Sequence, residues 1–393
     1  MERDFIYQVM GKLGFPETII NWIKTLYRGA RATIIGNGNI GDGIEFERGI
    51  KQGCPLSMYL YIIYIEPLIK ITKRYVAGLR LDSKTLIKIC GYVDDIVICT
   101  NNEGDFDTIN KLVGDFEEAT NAKVNREKTK MMGVGKWEKK EKWKFDWLKN
   151  EGKIKILGFT FMPDMKRTIK LNMKTCIDKI RNTVGKAENR IMTELQKVLY
   201  SNAFVVPKII HVIKIIPLNR KSAEKCNKII HRFIWSRKIE KLRLEEMYPG
   251  IEEGGMNLVD IFTKSRSIFL DTIIRLVMNE GTNNNIMNYW LGPKINFLTK
   301  KTNTSNIPFI ETPPQIFAEA IETLCELHQN YPEKDLNALK SRDLYHLLIP
   351  LEWLKPKALE KNANIEAQSC KNLKKLKINP NIKQHSSIKS TTS

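Results

Sequence analysis

The stretch ICGYVDDIVICTNN, Ile89 to Asn102, places two adjacent aspartates, Asp94 and Asp95, between two short apolar runs. Each run has the length and the β-branched composition of a strand, and the polar pair between them suits a tight turn. An ordinary β-turn accounts for the aspartates, since this residue favours turns. It does not account for the apolar flanks, because a carboxylate pair held against a buried sheet is costly unless a cation compensates it. We therefore expect a β-hairpin that binds metal at its tip.

Magnesium is the metal that such a carboxylate pair favours. It prefers oxygen ligands, keeps several waters, and is commonly held by one or two carboxylates together with the phosphates of a substrate. Two such ions about 3.5–4 Å apart can activate a hydroxyl group and stabilise the leaving oxygen of a nucleotidyl transfer. The chain also carries 64 Lys+Arg against 44 Asp+Glu, a formal net charge of +20. That charge favours a polyanionic partner, with nucleic acid as the first candidate and an anionic membrane surface as the second.

Length and composition indicate a globular chain with more than one core, since 42% of its 393 residues are hydrophobic. The apolar stretches Tyr59 to Ile71 and Phe204 to Leu218 are too short or too charged to span a bilayer, and no signal peptide is recognisable. The seven cysteines are scattered without a C-x-x-C pair, which argues against a disulfide framework or a zinc site. We expect a nuclear or cytoplasmic protein without membrane association.

The fold class follows from the mixture of patterns in the first 145 residues. In chain order they predict a helix capped by Asp4 that ends near Leu13, a helix opened by Pro16, a hairpin turning at Asn37 and Gly38, a helix from about Leu56 to Ile71, and a helix from Asp105 to Ala119. After about residue 171 the pattern is mostly long basic helices. Helices mixed with antiparallel hairpins indicate an α+β protein rather than a doubly wound sheet.

Several further segments accompany the aspartate pair in a definite order. RGIKQGCPLSMYLYIIYIEPL, Arg48 to Leu68, precedes it, and NAKVNREKTKM, IKILGFTF, HRFIWSRK and GGMNLVD follow it. A lone Tyr-x-Asp-Asp is a weak signal, but this combination resembles the reverse transcriptases, most closely those of non-LTR (LINE-type) retrotransposons. The resemblance covers roughly Asp4 to Val277. It implies an RNA-directed DNA polymerase with two Mg²⁺ ions, which acts in the nucleus on an RNA template, a DNA primer and deoxynucleoside triphosphates.

The resemblance assigns a role to each matching residue. Catalysis and metal binding fall to Asp94 and Asp95, nucleotide and template binding to Gln52, Gly53, Pro55 and Lys128, and contact with the primer end to Tyr92, Leu157 and Gly158. Simpler interpretations stay open for three of these segments. Gln52 to Pro55 also fits an ordinary loop before a helix, Lys128 a solvated loop lysine, and Leu157 with Gly158 any tight turn.

The resemblance also implies a division into domains. We expect a partial palm at 1–145, a primer-grip hairpin at 146–170, a helical thumb and post-polymerase region at 171–290, a C-terminal helical region at 291–370, and a basic disordered tail at 371–393. The palm is expected to be partial because no segment matches the strand that carries the family's third catalytic aspartate. Asp4 belongs to a segment that resembles the family's next helix, directly after that strand, so Asp4 does not replace the missing aspartate. Val93 and Met58 are smaller departures, where the family usually has Ala and Pro.

These departures affect the expected activity. We expect this chain to be an N-terminally truncated piece of the polymerase, without its fingers, and to extend no primer by itself. A non-catalytic nucleic-acid-binding remnant is an alternative function, because the basic helical region alone would bind phosphates. A mobile-intron maturase-type reverse transcriptase is a second alternative, and an inert pseudogene product a third. The oligomeric state cannot be read from the sequence.

Overall fold

The computed structural model describes residues 2–51, 53–81, 85–138, 148, 150–236, 239–278, 282–291, 315–330 and 340–348. The chain divides into two compact units, Met1–Gly152 and Lys153–Ser393. Helices and antiparallel strand pairs are mixed, in agreement with the predicted α+β class. Within the described residues, no helix combines the length and apolarity needed to cross a membrane.

Within the described residues, the first unit contains four α-helices, four strand pairs and a short 3-10 helix at Gly135–Trp137. Its helices are α1 (Arg3–Lys12), α2 (Glu17–Tyr27), α3 (Pro55–Tyr75) and α4 (Gly104–Thr120). Its strands are β1 (Arg31–Ala32), β2 (Ile35–Gly36), β3 (Asn39–Ile40), β4 (Ile44–Glu45), β5 (Leu79–Arg80), β6 (Leu86–Ile87), β7 (Ile89–Tyr92) and β8 (Asp95–Ile98). The strands pair antiparallel as β1 with β4, β2 with β3, β5 with β6, and β7 with β8.

Apolar side chains of α1, α2 and α3 form the core of this unit, among them Ile6, Met10, Ile20, Ile23 and Leu60. Aromatic rings join α1, α3 and α4, because Phe5 and Phe116 each meet Tyr64 edge-on at 5.7 and 5.4 Å between centroids. Edge-to-face contacts add to what burial alone contributes. These contacts hold the middle of α3, and the same helix also packs against β7.

The predicted turn at Asn37 and Gly38 is confirmed, and the predicted N-cap of the first helix is wrong. Asn37 and Gly38 connect β2 to β3 with φ angles of 50° and 83°, as the Asn-Gly pair predicts. Asp4 does not cap α1, because the helix already begins at Arg3, with Glu2 at the cap position. Asp4 lies in the first helical turn instead, where a negative charge is favoured by the helix dipole.

The second unit begins with a hairpin and continues as helices. The hairpin pairs β9 (Ile154–Ile156) with β10 (Phe159–Phe161). Its described helices are α5 (Met165–Gly185), α6 (Glu194–Tyr200), α7 (Pro207–Ile213), α8 (Arg220–Ile234), α9 (Leu244–Met247), α10 (Ile261–Met278), α11 (Thr282–Leu291), α12 (Gln315–Asn330) and α13 (Ser341–Leu348). A π-helical turn, Ser201–Val205, separates α6 from α7.

The core of the second unit lies mainly between α5, α7, α8 and α10. Cys176, Ile180, Ile209 and Ile230 are fully buried there, and Phe159 attaches the β9–β10 hairpin to the same cluster. Burial raises the pKa of the Cys176 thiol to about 11, which keeps this cysteine protonated and unreactive at neutral pH. A second cluster joins the later part of α10 to α11, α12 and α13.

The five predicted domains stay a prediction. The structure divides the chain once, between Gly152 and Lys153, near the start of the proposed primer-grip segment. The proposed tail at 371–393 lies outside the described residues, and so does most of 291–370 apart from α12 and α13.

Candidate active site

The aspartate pair lies at the tip of a β-hairpin, as the sequence predicts. Strands β7 and β8 pair from Ile89 opposite Ile98 to Tyr92 opposite Asp95, which leaves Val93 and Asp94 as the two turn residues. Val93 has a φ of 54°. A β-branched residue in this region is strained by about 1–3 kcal/mol, and such strain concentrates at functional sites.

The surroundings of the two carboxylates differ from the expectation. Asp94 and Asp95 are both exposed, and the apolar residues of β8 behind them are half-buried. The expected desolvation cost is therefore absent, and folding does not require a cation at this turn. What the structure presents is two adjacent carboxylates open to solvent. That donor set fits Mg²⁺, which retains waters and shares its remaining positions with substrate oxygens.

Asp94 also acts electrostatically on α3. Burial raises the pKa of the Tyr61 phenol, and the nearby carboxylate of Asp94 raises it further. The Tyr61 phenol therefore stays neutral at physiological pH and adds no further negative charge beside the turn. Within the described residues, no group of three or more His, Cys, Asp or Glu side chains stands together as a metal site. The carboxylates that the structure brings together here are the two of the turn.

The loop before α3 contains the second predicted group of residues. Gly53 has a φ of 82°, and a Cβ atom there would meet nothing within 4 Å. Backbone at this position is therefore open to the approach of another molecule. Pro55 is the first residue of α3, where its fixed φ suits the helix start. Gln52 lies outside the described residues.

Two residues that sequence reasoning missed hold this loop in place. The buried Ser57 donates a hydrogen bond to the carbonyl of Lys51 at 2.6 Å, and its hydroxyl also lies 3.3 Å from the Tyr27 hydroxyl. Arg3 donates to the carbonyls of Gly49 at 3.0 Å, Tyr27 at 3.1 Å and Phe46 at 2.7 Å. No local sequence pattern indicates that Arg3 binds three backbone carbonyls, because these partners are 24 to 46 residues away along the chain.

Lys128 is presented by a tight turn, and the structure gives a reason for the Asn-x-x-Lys spacing. The Asn125 side chain accepts a hydrogen bond from the Lys128 backbone N–H at 3.1 Å, and its carbonyl accepts one from Thr129 at 3.0 Å. Such an Asn-centred turn fixes the direction in which the lysine leaves the backbone. Lys128 is exposed, and among the described residues it has no ion-pair partner.

The last predicted pair belongs to the second unit. Leu157 and Gly158 form the two-residue turn between β9 and β10, with φ angles of 48° and 83°. Phe159, next in the chain, is 1% exposed and packs tilted against Phe161. A Cβ added at Gly158 would lie 3.8 Å from His211 of α7. The turn is thus rigidly attached to the helical core, while Leu157 stays exposed at its tip.

The amino-acid sequence is similar in part to known proteins. Residues 1–161 match the family model described as reverse transcriptase (RNA-dependent DNA polymerase). The chain is 24% identical over 130 residues to the transposon TX1 uncharacterized 149 kDa protein of Xenopus laevis, an alignment that covers 33% of this chain and 10% of that protein. It is 23% identical over 163 residues to the retrovirus-related Pol polyprotein from type-2 retrotransposable element R2DM of Drosophila melanogaster, which covers 42% of this chain and 15% of that protein.

Both alignments are short relative to the proteins they reach, so the chain spans a small part of the length of these relatives. Reverse transcriptases generally use a divalent metal and act on a nucleic-acid template and primer. The match includes the Tyr92–Asp95 turn, the loop around Gly53, Lys128 and the β9–β10 hairpin. The first 161 residues are therefore similar to the reverse transcriptase family, and part of the chain is similar to proteins of two transposable elements.

Proposed function

We propose that this chain forms part of an RNA-directed DNA polymerase that copies the RNA of a non-LTR retrotransposon into DNA. The observation that carries the proposal is the pair of exposed carboxylates on the Tyr92–Asp95 turn, within a segment that matches the reverse transcriptase family. The substrates would be an RNA template, the 3′ end of a DNA primer and deoxynucleoside triphosphates. The two alternatives, a non-catalytic binding remnant and a mobile-intron maturase, are not favoured by these relatives.

The carboxylates of Asp94 and Asp95 would hold the divalent metal. When bound there, Mg²⁺ lowers the charge repulsion between the triphosphate and an attacking 3′-hydroxyl and stabilises the leaving pyrophosphate. Asp94 is the turn residue, and we assign it direct ligation. Asp95 pairs with Tyr92 in the ladder, and we assign it a supporting electrostatic role.

The other residues would bind and orient the substrates. Gly53 leaves its backbone accessible, so a base pair or a ribose can approach the start of α3 closely. Lys128, fixed by the Asn125 turn, supplies a positive charge for the triphosphate. Tyr92 is 64% exposed beside the carboxylates and would pack near the primer terminus. We assign the exposed turn of Leu157 and Gly158 to the primer strand.

This function can be tested without turnover, by the assembly of the complex with template, primer and triphosphate. The assay uses the full chain, an RNA template and a DNA primer that ends in a dideoxynucleotide. With Mg²⁺, the complementary dNTP is expected to tighten binding of the template–primer by about tenfold, or about 1.4 kcal/mol, and a mismatched dNTP is not. Asp94→Asn should remove this gain, because the triphosphate loses its metal.

The matched control is Asp115→Asn, which removes an exposed carboxylate from α4 of the same unit. It should leave the gain intact. Equal tightening by all four dNTPs, or a gain that survives Asp94→Asn, would contradict the proposed function.

A further inference from the structure

Two free cysteines lie on one face of the β7–β8 hairpin, and the proposed polymerase site uses neither. Cys90 is exposed in β7, and the half-buried Cys99 directly follows β8. Side chains of a strand alternate between its two faces, so Cys90, its partner Val97 and Cys99 share one face. The opposite face lies against α3, because a Cβ atom at Gly91 would be 3.9 Å from the Ile69 side chain. The two thiols are therefore on the side of the hairpin that α3 does not cover.

The ladder makes the two cysteines diagonal neighbours. The Cys99 N–H donates a hydrogen bond to the Lys88 carbonyl at 2.8 Å, which continues the pairing of β7 with β8 by one position. Cys90 is two residues from Lys88, so Cys90 and Cys99 occupy the diagonal of adjacent cross-strand pairs. The right-handed twist of the strands makes the side chains on this diagonal lean toward each other. Burial raises the pKa of the Cys99 thiol and the nearby Cys90 raises it further, which agrees with neighbouring sulfur atoms.

We propose that Cys90 and Cys99 form a reversible disulfide when a hydroperoxide oxidises Cys90, and that this bridge displaces the Asp94 turn. The exposed Cys90 reacts first: its sulfur takes one oxygen atom from the peroxide and becomes a sulfenic acid, while hydrogen peroxide leaves as water. The Cys99 sulfur then attacks the sulfenic sulfur. The S–S bond forms, the S–O bond breaks, and the hydroxyl group leaves as water with the proton of Cys99. A dithiol reductant returns two electrons and two protons and restores both thiols.

The bridge would act on the turn because a disulfide is shorter than the diagonal that it joins. Diagonal residues are about 7–8 Å apart, whereas a disulfide usually joins Cα atoms about 5.5–6 Å apart. The hairpin must therefore twist further to close the bond. Its base is held, since the Thr100 hydroxyl donates to the buried carboxylate of Asp105, which also accepts from the Ala77 N–H at 3.1 Å. The extra twist is thus passed to the exposed tip, and the strain makes the bond easily reduced.

The chain contains a second pair of neighbouring cysteines, which serves as an internal control. Cys176 of α5 and Cys226 of α8 are both 0% exposed. Burial raises the pKa of the Cys226 thiol to about 12, and the nearby Cys176 contributes to that increase. This pair has the proximity of Cys90 and Cys99 without their access to solvent. We expect it to stay reduced in the folded protein.

Peptide mass spectrometry tests whether the bridge forms, and this result depends on neither the metal nor a primer. The full chain is treated with hydrogen peroxide, its remaining thiols are blocked with iodoacetamide, and it is digested with trypsin without reduction. Trypsin releases Ile89–Lys111 as one peptide, which contains Cys90, Cys99 and no other cysteine. In the wild type we expect this peptide to be two hydrogen atoms lighter and free of alkyl groups, and to be alkylated twice after dithiothreitol. In Cys99→Ser, dimedone should label Cys90 as a sulfenic acid instead.

Three results would overturn the proposal. The first is a wild-type peptide that stays alkylated at both cysteines after peroxide. The second is overoxidation of Cys90 to sulfinic acid without a bridge. The third is a bridge that appears only together with oxidation of Cys176 and Cys226, because oxidation of that buried pair reports unfolding.

The effect on the turn rests on the proposed function and is measured in the template–primer assay. The oxidised wild type, freed of peroxide, is expected to lose the roughly tenfold gain from the complementary dNTP, and dithiothreitol should restore it. Cys90→Ser should keep the gain after the same treatment. A gain that survives in the bridged protein would overturn the displacement of the turn. Absence of the gain in the reduced protein would contradict the proposed function instead, and the peptide masses would still decide whether the bridge forms.

Discussion

Gly255→Ala is expected to destabilise the second unit by about 3 kcal/mol, near the upper end of what overpacking produces. A Cβ atom at Gly255 would lie 2.2 Å from the carbonyl oxygen of Pro249 and 2.6 Å from its carbonyl carbon. These are backbone atoms, so no side chain can turn aside. The Pro249 oxygen also accepts a 2.7 Å hydrogen bond from the Asn257 N–H, which would be broken if the loop moved. Urea denaturation followed by far-UV circular dichroism measures the loss.

Gly185→Ala is the control for this substitution. Gly185 is the last residue of α5, and a Cβ there would meet nothing within 4 Å. Alanine should be neutral or stabilising by up to about 1 kcal/mol at that position, because it lowers the entropy of the unfolded chain. If Gly255→Ala and Gly185→Ala shift the midpoint equally, the close approach to Pro249 does not constrain the loop.

Asp260→Ala is expected to cost about 3–5 kcal/mol, because it leaves two buried donors without an acceptor and removes a helix cap. Asp260 is 2% exposed and lies immediately before α10. Its carboxylate accepts hydrogen bonds from the Asn227 side chain at 2.7 Å and from the Thr263 N–H at 2.8 Å. Alanine would leave both donors buried without a partner and would uncap α10. Thermal or urea unfolding of the purified chain gives the difference.

Two comparison variants distinguish the loss of the Asp260 hydrogen bonds from the loss of a carboxylate charge alone. Asp260→Asn retains one acceptor oxygen and should recover roughly half of the loss. Asp178→Ala removes a carboxylate from the exposed pair with Arg181 and should cost no more than about 0.5 kcal/mol. A loss below about 1 kcal/mol for Asp260→Ala would show that Asn227 and Thr263 find other partners.

The sequence predicted those features that depend on neighbouring residues. The Asn37-Gly38 turn follows from local backbone preferences, and the Asp94 turn follows from the two apolar runs around it. The Leu157-Gly158 turn is expected from the family resemblance, since leucine does not favour the positive φ that it has there. The bounds of α4 were also close, Gly104–Thr120 against a predicted Asp105 to Ala119. Each of these depends on an interaction within a few positions along the chain.

The features that sequence reasoning missed depend on distant contacts. Three such contacts can be recognised only in the folded structure: Arg3 with its carbonyl partners, Asp260 with Asn227, and Gly255 against Pro249. The exposure of Asp94 was mispredicted for a related reason. Apolar flanks indicate that a strand packs on one side, but they do not show how far its tip extends into solvent.

The two units contribute different parts of the proposed polymerase. The first unit presents the carboxylates and Lys128, and the second presents the Leu157–Gly158 turn. The family match ends at residue 161, so assignments beyond that residue depend on the chain's own contacts and charges.

Metal-directed cleavage at the Tyr92–Asp95 turn tests the central claim most directly. Fe²⁺ occupies Mg²⁺ sites and, with ascorbate and peroxide, generates hydroxyl radicals that cut the nearby backbone. We expect fragments that end within or beside the turn, which excess Mg²⁺ suppresses and which are absent in the double variant Asp94→Asn, Asp95→Asn. Cleavage elsewhere only, or cleavage at the turn that persists in the double variant, would contradict a metal site formed by these two carboxylates.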